Sequence, residues 1–134
     1  MKIYGLDGRE YSWNLSQFKN QRPGASGPHK RARELLKTLF PYESIFEELT
    51  VPGCGTPLYL DFYLNGPKFG VEVNGQQHYE FKPFFYDSKS KWYQAQRRDI
   101  RKANWCASNG IVLVTLNDKD DNDEWTKQIR NRET

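Results

Sequence analysis

The sequence predicts a mixed α/β domain: one sheet flanked by helices, in the core order helix, three strands, helix, strand, helix. Three observations predict it. Ala32, Leu35, Leu36 and Leu39 recur at helical spacing and then meet Pro41. "TPLYLDFYLNGPKFGVEVNG" holds two strand-like runs joined by the turn residues Asn65 to Pro67, which predicts a β-hairpin. A long helical run, "KSKWYQAQRRDIRKANWCASNG", stops at Asn109-Gly110 and leads at once into the apolar strand "IVLVTLN".

In chain order, "KIYGLDGREYSWNL" reads as two short strands around Asp7-Gly8. "SQFKNQRPGASGP" is a loop, broken by Pro23, Gly24, Gly27 and Pro28. Ser26 or Gly27 caps the first helix, and Pro28 suits its first turn. "YESIFEELTVPG" is read as a strand ending in the turn Pro52-Gly53. In "LYLDFYL" alternation puts Leu58, Leu60, Phe62 and Leu64 on one face and Tyr59, Asp61 and Tyr63 on the other. "QQHYEFKPFFYDS" is irregular and aromatic. "IVLVTLN" is expected to be buried on both faces. A final helix, "DEWTKQIRNR", turns Trp125 and Ile129 inward. The boundaries expected are an N-terminal hairpin and loop over 1–27 and a single domain over 28–134. The segment over 1–27 is expected to pack along a nucleic-acid face or a partner subunit, and it and the tail after Asn117 to lie outside the core.

At 134 residues, the chain suits one domain with a core that needs no staples. Two cysteines, Cys54 and Cys106, form no CxxC pair, so a structural zinc is not expected and a reduced, cytosolic protein is the simplest reading. No apolar run is long enough to span a membrane, and the first residues lack the apolar stretch of a signal peptide. The net charge is only +3, but its distribution is uneven. Basic blocks run from His29 to Lys37 and from Lys89 to Lys102, and acids gather from Asn117 to Glu124. Lys30, Arg31, Lys89, Lys91, Arg97, Arg98, Arg101 and Lys102 are therefore candidates for contacts to a phosphate backbone. The plain alternative is two solvated helix faces.

The chemistry is concentrated in "GVEVNGQQHYEF", where Glu72 interrupts the most strand-like segment and His78 follows. A carboxylate buried in a strand is costly unless it is paired or binds a metal. Asp61 lies on the hairpin partner, so two carboxylates can meet, and a cation between them relieves their repulsion. Mg²⁺ takes one or two protein carboxylates together with waters and phosphate oxygens. Glu34 borders the apolar stripe of the first helix and is a candidate further ligand. His78 suits a proton acceptor near neutral pH. Asp99, in "RRDIRK", could support that histidine or bind a metal water. Each residue alone also has an ordinary reading: Asp61 and Glu72 as solvated strand residues, His78 as a loop histidine, Glu34 paired with Lys30 or Lys37, Asp99 paired with Lys102.

Taken together, "LYLDFYL…GVEVNGQQHY…RRDIRK…GIVLVTLN" resembles the PD-(D/E)XK nuclease superfamily. More narrowly it looks like the branch with very-short-patch repair endonucleases and phage homing endonucleases, the EDxHD type. The resemblance covers about residues 28 to 117. It implies a restriction-endonuclease-like αβββαβ core, here with an N-terminal β-hairpin and a C-terminal helix. Its metal-binding aspartate maps to Asp61, its helix glutamate to Glu34, its histidine to His78 and its late aspartate to Asp99. Glu72 maps to the second acidic position of the superfamily. The lysine common two residues further on is Asn74 here, so that role falls to His78, to Lys102 or to nothing.

The resemblance implies a Mg²⁺-dependent DNA endonuclease, with Mn²⁺ as a substitute ion. Asp61, Glu72 and the carbonyl of Val73 would hold the ion. The partner would be double-stranded or branched DNA, with no membrane. A duplex break would need a homodimer or two visits by one chain. The setting implied is the cytoplasm of a bacterium or a phage-infected cell. The alternative is a catalytically silent DNA-binding module on the same fold, and RNA remains open as a substrate.

Overall fold

The computed structural model describes residues 1–18, 26–55, 57–74 and 89–132. His78 and the aromatic residues Tyr79, Phe81, Phe84 and Phe85 lie outside them.

Strands β1 (Lys2–Tyr4) and β2 (Glu10–Ser12) form an antiparallel hairpin, followed by a short 3₁₀ turn at Leu15–Phe18. Then come α1 (Gly27–Leu39), β3 (Ile45–Val51), β4 (Leu58–Leu64), β5 (Phe69–Asn74), α2 (Lys89–Ser108), β6 (Val112–Asn117) and α3 (Asn122–Arg130). The strands β3 to β6 make one mixed sheet in the order β3-β4-β5-β6. Its pairs are antiparallel except β5 with β6, which α2 joins in parallel. The mixed α/β architecture and the element order expected from the sequence are thus present.

Local chemistry sets the helix ends. The Ser26 side chain accepts from the His29 N–H, and Pro28 occupies the first turn of α1. The Asp121 side chain caps α3 by accepting from the Glu124 N–H at 2.8 Å. Gly110, at φ 67, ends α2 in the left-handed conformation that lets the chain turn into β6.

Two cores cover the two faces of the sheet. Ala32 and Leu36 of α1 and Trp125 and Ile129 of α3 pack with Phe62, Leu64, Phe69, Val71, Val114 and Leu116. Trp105 and Cys106 of α2 pack on the other face with Ile3, Trp13, Phe46, Leu49, Val51, Leu58, Leu60 and Tyr63.

The division of β4 between these cores corrects the simple alternation. Leu58 and Leu60 share a core with Tyr63, while Phe62 and Leu64 belong to the other. In β3, Phe46 shares a core with Leu49 and Val51, so the same one-residue phase change occurs there. The pairing passes from Glu47↔Phe62 to Leu49↔Leu60 with no inserted residue, and Glu48 stands opposite Asp61 at the change. Glu48 has φ 52, a left-handed conformation that side chains rarely adopt. Such strain costs about 1–3 kcal/mol and persists where the surroundings over-determine it.

Three further expectations are corrected. Residues 1–18 are part of the core and not an appendage: Trp13 is buried against Tyr63 and Trp105, with ring centroids 5.0 and 5.2 Å apart. Its indole Nε1 donates to the Thr50 carbonyl at 2.9 Å. Gly53 seals this junction; at φ 77, any Cβ on it would lie 2.3 Å from the Gly5 Cα. The tail after Asn117 also joins the core, through Trp125 and Ile129, which face inward as the sequence predicts. Strand β6 lies at the sheet edge and leaves Thr115 exposed, so it is not buried on both faces.

Candidate active site

The site lies where β4 leaves β5. Their ladder runs from Leu64↔Phe69 to Phe62↔Val71 and ends there, whereas β5 and β6 stay paired to Asn74↔Asn117. Beyond the end of the β4–β5 ladder, the Val73 N–H donates to the Asp61 carboxylate Oδ2 at 2.9 Å. A side chain thus takes a backbone donor that a longer β4–β5 ladder would have used, and Asp61 is anchored by it.

Asp61, Glu72, Val73, Asn74, Asp99 and Lys102 all line one cavity of about 570 Å³. The structure therefore brings together three of the carboxylates singled out in the sequence. Glu72 is buried, with Lys102 Nζ 2.9 Å from its Oε1. Burial pushes the Glu72 carboxyl well above its ordinary range, the adjacent Asp61 charge pushes it further, and Lys102 opposes both. Lys102 is only 13% exposed in its side chain, so it belongs to the cavity more than to the outer basic surface. A second cavity of about 630 Å³ adjoins through Pro57 and Arg98, and Arg97 and Arg101 line it. Lys89, Lys91, Arg97 and Arg98 are exposed on α2. Arg101 is half-buried and donates to the Cys54 carbonyl at 3.4 Å.

Two expected residues are elsewhere. The Glu34 side chain is 72% exposed, 3.7 Å from Lys37, and does not line the cavity. The phase of α1 explains this, because Ala32 and Leu36 define the buried face and Glu34 falls about opposite them. The Arg31 guanidinium is engaged within the protein, between α1 and the β6–α3 connection. It donates to Asn122 Oδ1 at 2.6 Å and to the carbonyls of Asp118 and Asp120, and it stacks 3.5 Å from the Trp125 ring centroid. These contacts tie α1 to the β6–α3 connection. Lys30 is exposed on the same helix.

What α1 sends toward the sheet is a buried cluster that the sequence reading passes over. His29 and Arg33 both face Glu47 of β3. Arg33 holds Glu47 through two hydrogen bonds, Nε to Oε2 at 2.9 Å and Nη2 to Oε1 at 2.7 Å. His29 Nε2 lies 2.9 Å from Glu47 Oε1. Burial alone would raise Glu47, but the Arg33 and His29 hydrogen bonds outweigh it and leave the carboxyl below its ordinary value. The signal available in the sequence is the spacing: His29, Ala32, Arg33 and Leu36 fall at i, i+3, i+4 and i+7.

Both thiols are buried, and burial pushes Cys106 up to about 12, which makes it a packing residue. Among the described residues, no helix is long and apolar enough to cross a membrane.

No family model matches the chain, and no solved structure does. Two curated viral proteins are similar over part of it. "Uncharacterized protein 033L" of Invertebrate iridescent virus 3 is 40% identical over 65 residues, 48% of this chain. "Uncharacterized protein 307L" of Invertebrate iridescent virus 6 is 40% identical over 59 residues, 44% of this chain. The matched stretches span 34% and 30% of those proteins, about a third of their length.

Proposed function

We propose that this chain is a metal-dependent endonuclease that hydrolyses phosphodiester bonds in DNA, on a core of the PD-(D/E)XK kind. The observation that carries the reading is the convergence of Asp61, Glu72, Asp99 and Lys102 on one cavity where β4 and β5 part. Two abutting carboxylates, one of them buried, make a hard-oxygen donor set of the type Mg²⁺ prefers. Asp61, Glu72 and the Val73 carbonyl are the residues that would hold Mg²⁺ or Mn²⁺. Held by these residues, the ion would supply Lewis-acid polarisation of the scissile phosphate and charge stabilisation at its leaving oxygen.

The chain's own groups supply the rest. Lys102 Nζ, beside Glu72, provides the cation that Asn74 does not. Arg97 and Arg98 meet the backbone in the adjoining cavity, giving affinity and position but no sequence choice. His78, just past β5, is the proposed proton acceptor from the attacking water, with Asp99 as its support.

A second reading, a nuclease-like module that binds DNA without cutting, is favoured by one observation: Lys102 already engages Glu72. A plasmid assay separates the two. Supercoiled DNA is incubated with the protein, with and without Mg²⁺, beside Asp61→Asn and His78→Ala. The enzyme reading expects Mg²⁺-dependent nicked or linear product, lowered by about 10³-fold in Asp61→Asn while DNA binding persists. Absence of cleavage, with binding indifferent to EDTA, would leave the binding module.

A further inference from the structure

We propose that His29, Glu48 and Asp61 form a second divalent-cation site, shared with the cavity through Asp61 and suited to a borderline ion such as Zn²⁺ or Mn²⁺. One ring nitrogen of His29 and one carboxylate oxygen each of Glu48 and Asp61 lie within 4.8 Å of one another. The three donors come from α1, β3 and β4, so the tertiary fold, not a local sequence run, assembles them. Zinc binds nitrogen and carboxylate oxygen at about 2.0–2.2 Å, and rotation of the two carboxylates closes the remaining distance.

His29 is prepared for this role. Its ring is buried and stacked on Phe62, with centroids 4.4 Å apart. Its Nε2 is 2.9 Å from Glu47 Oε1, and Arg33 keeps that carboxylate ionised and therefore purely an acceptor. A carboxylate acceptor at Nε2 favours the tautomer that carries its proton there and leaves the Nδ1 lone pair for a ligand. A carboxylate that orients a histidine in this way is the usual support for a metal-ligating imidazole. Glu48 stands opposite Asp61 in the strand register, so two negative groups meet the imidazole at the phase change of β3 and β4.

The imidazole distinguishes this site from the all-oxygen set of Asp61, Glu72 and Val73. Nitrogen donors favour zinc and other transition ions, whereas oxygen donors favour Mg²⁺. The site does not depend on the nuclease reading, since it makes a claim about ion binding alone.

The chain has two histidines, so His78→Ala leaves His29 as the only imidazole. In that variant the imidazole ¹⁵N and ¹³C resonances are followed by NMR during separate titrations with Zn²⁺, Mn²⁺ and Mg²⁺. The expected result is a Zn²⁺-induced shift of the ring nitrogens and Mn²⁺-induced broadening, with no ring-nitrogen shift from Mg²⁺. Adding the isosteric Glu48→Gln is expected to weaken the Zn²⁺ response at least about tenfold, and adding Glu72→Gln to leave it in place. An imidazole unmoved by Zn²⁺ would overturn the proposal, and that measurement needs no change at Glu48. A response abolished by Glu72→Gln but untouched by Glu48→Gln would overturn it too. A persistent imidazole response alongside a plasmid left uncut with every ion would support this site and count against the nuclease reading instead.

Discussion

Glu47 and Glu72 are both buried glutamates on neighbouring parts of one sheet, and each has a cationic partner. Their carboxyls nevertheless move in opposite directions. Glu47 is held below its ordinary value because Arg33 grips both oxygens and His29 adds a third contact. Glu72 is driven well above it because burial is joined by the Asp61 charge, and a single lysine contact does not compensate. Satisfied charges mark a piece of scaffold; carboxylates crowded together beside an open cavity mark a place built to receive something.

The sharpest way to break this contrast is to remove each cation in turn. Arg33→Met leaves Glu47 buried without its main partner and is expected to cost about 3–5 kcal/mol in urea unfolding. Lys102→Met is expected to cost only about 1–2 kcal/mol, because burial and the Asp61 charge already push the Glu72 carboxyl upward and ease its uptake of a proton once the lysine is gone. Equal losses would mean that the two glutamates play the same structural part. The same Lys102→Met protein should lose plasmid cleavage if Lys102 fills the lysine role.

Acid titration probes the scaffold side. Folding lowers the Glu47 carboxyl, so its stabilising contribution is present above the ordinary value of 4.5 and fades as the pH falls through the lower folded value. Thermal melts below pH 4.5 should therefore show a smaller acid loss in Glu47→Gln than in the wild type, from a lower starting stability; parallel curves would contradict the assignment. The smallest effect is expected at Glu34→Ala, within about 0.5 kcal/mol of the wild type, because the Glu34 side chain is exposed and its ion pair with Lys37 is a surface one. A large loss of cleavage there would return Glu34 to the site.

Much of the fold is legible in the sequence for physical reasons. Helical spacing, caps and breakers locate α1, α2 and α3, and turn residues separate β3, β4 and β5. Asp61 and Glu72 are legible because carboxylates inside apolar strands demand an explanation, whereas Asp99, set in the basic run "RRDIRK", is picked out by the resemblance. The facing of β4 is not, because "LYLDFYL" is almost wholly apolar and either phase of alternation looks sensible. Glu34 is misplaced for a related reason: the stripe from Ala32 to Leu39 is broad, and only the buried positions of His29 and Arg33 fix its centre. Glu47 and Glu48, adjacent acids inside an apolar strand, raise the same question as Glu72 and mark the second cluster. Trp13 offers no local periodicity to reveal that it joins the core, since its partners come from β3, β4 and α2.

The phase change at Glu48 and Asp61 also bears on how this chain can evolve. Straightening the ribbon there would turn one end of β3 and β4 inside out, exposing either Phe62 and Leu64 or Leu58 and Leu60 to the wrong helical layer. Substitution could replace the carboxylates, but it could not readily iron out the bend that brings them together. The geometry of the pocket would then outlast the residues that line it, and descendants would inherit a ready-made niche in which ligands could be tried.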